Sequence, residues 1–210
     1  MNQRVLIRSI TLMCITFIGI MIFWFTNKPQ PAQYPDAPTL LDTDNPYSSL
    51  FIPAFNLIDA AGNAIDQSIL DDQYTLVDFF YTSCPLICPG MTAAMKQVYH
   101  ATANTNLNLL SISIDPEVDT PQVIANYAKT LDIDESRWRF ITGDIETLDF
   151  ILMGLGFEIG APNPDKAYRD ISHPSTLILL GPDRHVIALY RYTDPEELQK
   201  LIKKAHELAG

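Results

Sequence analysis

Residues 74–91 read Tyr-Thr-Leu-Val-Asp-Phe-Phe-Tyr-Thr-Ser-Cys-Pro-Leu-Ile-Cys-Pro-Gly-Met. The opening eight, YTLVDFFY (Tyr74–Tyr81), are β-branched or aromatic apart from Leu76 and Asp78, the pattern of a strand buried on both faces. Cys84 and Cys88 follow, each with a proline behind it. Met91, Met95, Val98 and Tyr99 then share one helical face over residues 91–103. A buried strand that runs through a dithiol turn into a helix predicts an α/β sheet. Its site is expected at the carboxyl end of that strand.

The same alternation continues outward. Upstream, Phe51–Ile58 alternates and stops at Asp59-Ala60-Ala61-Gly62-Asn63, with Ala64 and Ile65 pairing back as a hairpin. Downstream, Leu107–Ile114 reads as a strand. Thr120-Pro121 supplies a cap and a first-position proline for a helix reaching to about Leu131. Arg139–Thr142 is a short strand, and Ile145–Leu155 a helix closed near Gly156. Thr176–Leu180 and Val186–Tyr190 form a hairpin over Gly181-Pro182-Asp183-Arg184, and Asp194-Pro195 opens a last helix to Leu208. The order β-β-β-α-β-α-β-α-β-β-α predicts a parallel core with antiparallel additions, a mixed sheet with helices on both faces.

The chain has 210 residues, of which 47% are apolar and 19% charged, enough for a sizeable core and too apolar for a disordered protein. Its net charge is −11, and every Asp and Glu lies after Pro31. So acidic a surface argues against a nucleic-acid partner, which requires a basic footprint. Residues 9–26, SITLMCITFIGIMIFWFT, carry no charge and are long enough to cross a bilayer. They exceed the core of a cleaved signal peptide, and no small-x-small cleavage site follows. Arg4 and Arg8 before the run place the N-terminus in the cytoplasm. Cys14 reads as a small hydrophobe within the span, because bulky Met13 precedes it where a lipid-attachment site needs a small residue. Pro29, Pro31, Pro35, Pro38 and Pro46 mark an extended spacer. The expected organisation is a membrane anchor over residues 1–28, a Pro-rich linker over 29–48, and an α/β domain over 49–210. That domain would stand on the outer, periplasmic side of an inner membrane, in an oxidising compartment.

There a close pair of cysteines is redox-active, metal-bound or disulfide-bonded. A stapling disulfide is the plain reading, but so small a ring constrains the unfolded chain little. A helix N-terminus is expected to lower the pKa of one or both thiols. On one helical face the two sulfurs could close a disulfide or grip one soft ion. Structural zinc calls for four ligands, whereas Cu(I) accepts fewer and prefers thiolates. A third ligand has four histidines to come from, His100, His173, His185 and His206. His173 is the best placed, in a loop that enters a strand beside the cysteine strand.

Four strings together, FFYTSCPLICPGM, SISIDPEVDTPQVIANYAK, FITGD and SHPSTLILLGPD, resemble the SCO/SenC family of membrane-anchored, thioredoxin-like copper proteins. The likeness spans roughly Phe51 to Ala209. It implies a thioredoxin-like mixed sheet flanked by helices, preceded by one N-terminal transmembrane helix. It further implies copper held by Cys84, Cys88 and His173, as Cu(I) and also Cu(II). The implied role is assembly of the copper centre of cytochrome c oxidase, whose subunit, or another copper or thiol protein, is the partner. A cis bond at Pro174 also follows from it.

The chain departs from that pattern at Leu86, where an acidic residue is usual, and at Ser172, where aspartate often precedes the histidine. Asp78 resembles the buried proton-exchanging aspartate of thioredoxin, and desolvation should raise its pKa. Hydrogen bonding to local backbone is its equally weighted alternative. These features favour a second function, a membrane-anchored thiol–disulfide oxidoreductase in which Cys84 attacks, Cys88 resolves and Asp78 carries the proton. Asp115 either orients His173 from behind or caps the turn leading to Thr120-Pro121, with the cap favoured; Asp119 is read as structural.

Overall fold

In chain order, the computed structural model contains β1 (Asn56–Asp59), β2 (Ala64–Asp66), a 3-10 turn (Gln67–Ile69), β3 (Thr75–Phe80), α1 (Cys88–Ala101), β4 (Asn108–Ser113), α2 (Pro121–Lys129), β5 (Trp138–Thr142), α3 (Ile145–Gly154), β6 (Thr176–Leu180), β7 (Val186–Arg191) and α4 (Pro195–Ala209). The structure describes residues 16, 17, 21, 45–160, 171 and 173–210. The expected span over 9–26, Cys14 and the linker lie almost wholly outside these. Among the described residues no helix is long and apolar enough to cross a membrane.

The strands form one sheet in the order β2-β1-β5-β4-β3-β6-β7. Strand β3 is buried at all its positions, as an apolar strand with neighbours on each side requires. It pairs in parallel with β4 and antiparallel with β6. β4 pairs in parallel with β5, and the hairpins β1–β2 and β6–β7 add the antiparallel edges. The parallel pairs have the crossover helices α1 and α2 between them, as parallel connections demand. Helix α1 packs on α4, and α2 packs against β5. The element order matches the sequence expectation, and the fold is thioredoxin-like.

Local chemistry sets the helix ends. The Asp144 side chain accepts from the Thr147 N–H at the start of α3, and Asp194 accepts from Glu196 and Glu197 at the start of α4. Thr120 makes no such side-chain bond, so α2 starts on the first-position Pro121 alone. At the end of α3 the chain reverses through Gly156, whose φ of +75° suits glycine. The Phe157 N–H there returns to the Leu152 carbonyl at 2.8 Å. Among the described residues no peptide bond is cis, so the His173–Pro174 bond is trans, against expectation. The loop turns without needing the cis isomer.

Candidate metal centre

The site begins where β3 releases the chain. The Cys84 N–H donates to the Tyr81 carbonyl at 3.2 Å, which bends residues 81–84 into a turn. Helix α1 begins at Cys88, earlier than the periodicity placed it, and Ile87 in the cap position offers no side-chain bond. Cys84 therefore precedes the helix. The two sulfurs are neighbours because of the turn, not because both ride on one helical face. Asp119 anchors this turn. Its carboxylate accepts from the Thr82 N–H at 3.0 Å, from the Thr82 hydroxyl, and from the Ser113 hydroxyl at 2.6 Å.

His173 arrives from the opposite direction. Strands β3 and β6 are antiparallel, with Val77 opposite Ile178 and Thr75 opposite Leu180. Each step forward along β3 matches one step back along β6, so this register carried onward brings His173 level with Thr82. The start of β6 thus meets the end of β3. The His173 Nδ1–H donates to the Pro174 carbonyl at 2.9 Å, which turns Nε2 toward Cys88 Sγ, 3.8 Å away. The ligand-capable atoms of Cys84, Cys88 and His173 all lie within 4.8 Å of one another. Among the described residues no other such group of three appears.

The two thiols are electrostatically unequal. Burial works to raise Cys84, but bonds from the Cys88 N–H, the Cys88 thiol, the Leu86 N–H and the Tyr81 hydroxyl outweigh it and hold Cys84 below the ordinary thiol value. Cys88 is pushed far up, first by burial and then because its proton bonds to Cys84. Of the two thiols, Cys84 therefore gives up its proton first and Cys88 holds its own longest. Burial also lowers His173, against the opposing pull of its bond to Pro174, so the ring is neutral near pH 7 with a free lone pair on Nε2.

The remaining candidates fall around this cluster. Asp78 lies opposite Ser111 on β4 and is 1% exposed. Its Oδ1 accepts from the Ser111 hydroxyl at 2.5 Å, and that hydroxyl accepts from Trp138 Nε1 at 2.9 Å. Burial raises Asp78 to about 7, against the opposing pull of the Ser111 hydroxyl and of its own backbone N–H. The Ser111 bond reaches to the neighbouring strand, and the local backbone bond weighed from sequence is present beside it. Asp115 closes the turn after β4, its carbonyl accepting from the Val118 and Asp119 N–H groups at 3.0 and 2.8 Å. The Pro174 carbonyl holds Nδ1 of His173. His185 Nδ1 faces Asp183, and His206 Nε2–H donates to the Ala101 carbonyl, so neither joins the cysteines. Sequence reasoning missed Tyr81. It is 2% exposed and meets the His173 ring edge-on at 5.7 Å between centroids. A hydroxyl at the very end of an apolar strand, which must find a partner when buried, was the available signal.

Fold and site together define a thioredoxin-like dithiol protein with an imidazole turned onto its cysteine pair. A model of the SCO1/SenC family matches residues 43–209. The chain belongs to that family. It is similar to the SCO1 protein homolog of Bacillus subtilis, at 28% identity over 143 residues, covering 66% of this chain and 72% of that protein. Among solved structures it is similar to Bradyrhizobium japonicum ScoI with copper bound, at 26% identity and a TM-score of 0.63, over 74% of this chain and 99% of the other. BsSco, a member of the Sco family of cytochrome c oxidase assembly proteins in which a disulfide switch has been identified, matches with 25% identity and a TM-score of 0.66. That match covers 76% of this chain and 94% of BsSco.

Proposed function

We propose that this chain binds Cu(I) through Cys84 Sγ, Cys88 Sγ and His173 Nε2 and hands it to a cytochrome c oxidase subunit during assembly of the copper centre. The observation that carries the reading is the meeting of two sulfurs and one neutral imidazole nitrogen within 4.8 Å at the mouth of the sheet. Two soft thiolates and one imidazole satisfy a three-coordinate Cu(I), whereas structural zinc calls for a fourth ligand that the described residues do not add to this cluster. The copper-bound ScoI relative supports the choice of metal. Bound there, copper is cargo: a sulfur ligand from the partner can enter while one of the chain's own leaves. We place the domain of residues 49–210 outside the cytoplasmic membrane, held by an anchor over 1–28 and spaced from it by the linker over 29–48.

The test is copper stoichiometry and affinity of the full-length chain in detergent. The wild type should take up about one Cu(I) per chain. Cys84→Ser and Cys88→Ser should weaken it most, and His173→Ala should weaken it by at least about tenfold, the effect of removing one ligand of three. Wild-type affinity in His173→Ala would overturn the three-ligand reading.

A second reading rests on the inequality of the thiols. Cys84, held below its ordinary pKa, is the attacking sulfur, and Cys88 keeps its proton until needed. Attack of the Cys84 thiolate on a partner disulfide forms a mixed disulfide and releases one partner thiolate, which takes up a proton. Cys88, giving its proton to Asp78, then attacks Cys84 Sγ and releases the second partner thiolate. The partner gains two electrons, and the chain is left with a Cys84–Cys88 disulfide. Reduced partner cysteines are what a copper centre needs before loading, so the two readings serve one assembly step.

A further inference from the structure

We infer that Tyr81 is the positioning residue that fastens the His173 segment to the cysteine turn. The inference deepens the three-ligand reading above and rests on it for its meaning, although the contacts themselves stand apart from any metal.

The sheet cannot hold His173 by itself. Regular pairing of β3 with β6 stops at Val77–Ile178, and β6 does not begin until Thr176. Pro174 has no N–H with which to extend the ladder. The backbone at Ile171, His173 and Pro174 must therefore be secured by something other than strand pairing.

Tyr81 stands where that fastening is needed. Its hydroxyl accepts the Ile171 N–H at 3.3 Å. The same hydroxyl bonds to Cys84. Its ring abuts the His173 imidazole at an interplanar angle of 83°, an edge-to-face contact. A phenol has one donor and accepting lone pairs, so it can take the amide proton and give its own to sulfur at once. One side chain thus touches the turn that bears Cys84, the backbone two residues before the histidine, and the imidazole. Tyr81 and Ile171 are 90 residues apart in the chain.

Tyr81→Phe tests this, because it keeps the ring and its packing and removes only the hydroxyl. In the metal-free full-length chain, the Ile171 amide should exchange with solvent about tenfold faster, the effect of losing one tertiary hydrogen bond. In a double-mutant cycle, Tyr81→Phe should weaken Cu(I) binding by about tenfold in the wild type and clearly less in a His173→Ala background, because the hydroxyl acts through the histidine. Unchanged exchange at Ile171 overturns the inference, and so does an equal loss in both backgrounds. Failure of the three-ligand reading looks different: His173→Ala would then keep wild-type affinity while Ile171 exchange still responded to Tyr81→Phe.

Discussion

Asp119 and Thr82, 37 residues apart, are joined by two hydrogen bonds in the interior, one from the Thr82 backbone N–H at 3.0 Å and one from its hydroxyl. The Ser113 hydroxyl adds a third at 2.6 Å. Asp119 is 0% exposed, so its carboxylate finds its partners in the protein. The carboxylate thereby ties the exit of β3 to the exit of β4 and sets where the cysteine turn begins.

Removing this carboxylate should cost far more than a surface change. Asp119→Ala leaves the buried Ser113 hydroxyl and the two half-buried Thr82 donors without their acceptor, a loss of about 2–4 kcal/mol. Asp119→Asn keeps one acceptor oxygen and should lose less. Urea unfolding of the two variants measures both, and an Asp119→Ala protein as stable as the wild type would remove Asp119 from this role.

Asp78 predicts a pH dependence of stability. Its folded-state pKa is raised to about 7 from an ordinary value of 3.8. Between those values the folded chain keeps a proton that the unfolded chain has released, so stability from this group falls as pH rises from about 4 to about 7. Below that window the group contributes nothing, and above it the loss is complete, on the order of 4 kcal/mol. Asp78→Asn removes this slope. Relative to the wild type, the variant should gain stability between about pH 4 and about pH 7 and level off above that, measured as the shift in urea midpoint. Parallel curves for the two proteins would show that Asp78 stays ionised when folded.

The sequence carried the architecture well because its signals are local. The apolar run Tyr74–Tyr81, the turn glycines and the Asp-Pro and Thr-Pro helix starts each depend on near neighbours. The ladder partners do not. That Asp78 would face Ser111, and Ser111 Trp138, depends on strand register, which no single strand states. His173 could be favoured from its place before β6, but the carbonyl that aims its ring is its own neighbour's, a detail fixed by loop geometry. Tyr81 reads as one more apolar strand residue because the bond that gives its hydroxyl a role, from the Ile171 N–H, spans 90 residues of sequence. The trans bond at Pro174 shows the converse limit, where a feature expected from the wider fold was not required by this loop.

The inequality of the thiols predicts selective chemistry. Cys84 is 7% exposed and held below the ordinary thiol value, whereas Cys88 is 2% exposed and pushed up. The thiolate is the reacting species, so limiting iodoacetamide on the reduced, metal-free protein should label Cys84 at least about tenfold faster than Cys88. Peptide mass spectrometry reads the ratio directly. Equal labelling, or faster labelling of Cys88, would reverse the assignment of attacking and resolving sulfur.

The same proton inventory fixes how Cu(I) affinity should respond to pH. Near neutrality His173 is already neutral, so its Nε2 lone pair is available without proton loss. Cys88 still holds its proton, and a thiol must surrender it to become a ligand. Binding therefore releases at least about one proton per metal, and affinity should rise by at least about tenfold per pH unit through the range 7 to 8. Below the ordinary histidine pKa of 6.5, protonation of His173 becomes a second competitor once its own lowered value is passed, and the slope steepens. Competition titrations against a Cu(I) chelator at several pH values measure the slope, and Cys88→Ser should flatten it by about one proton while weakening binding overall. A wild-type affinity independent of pH between 7 and 8 would mean that Cys88 either ionises before the metal arrives or never ligates it.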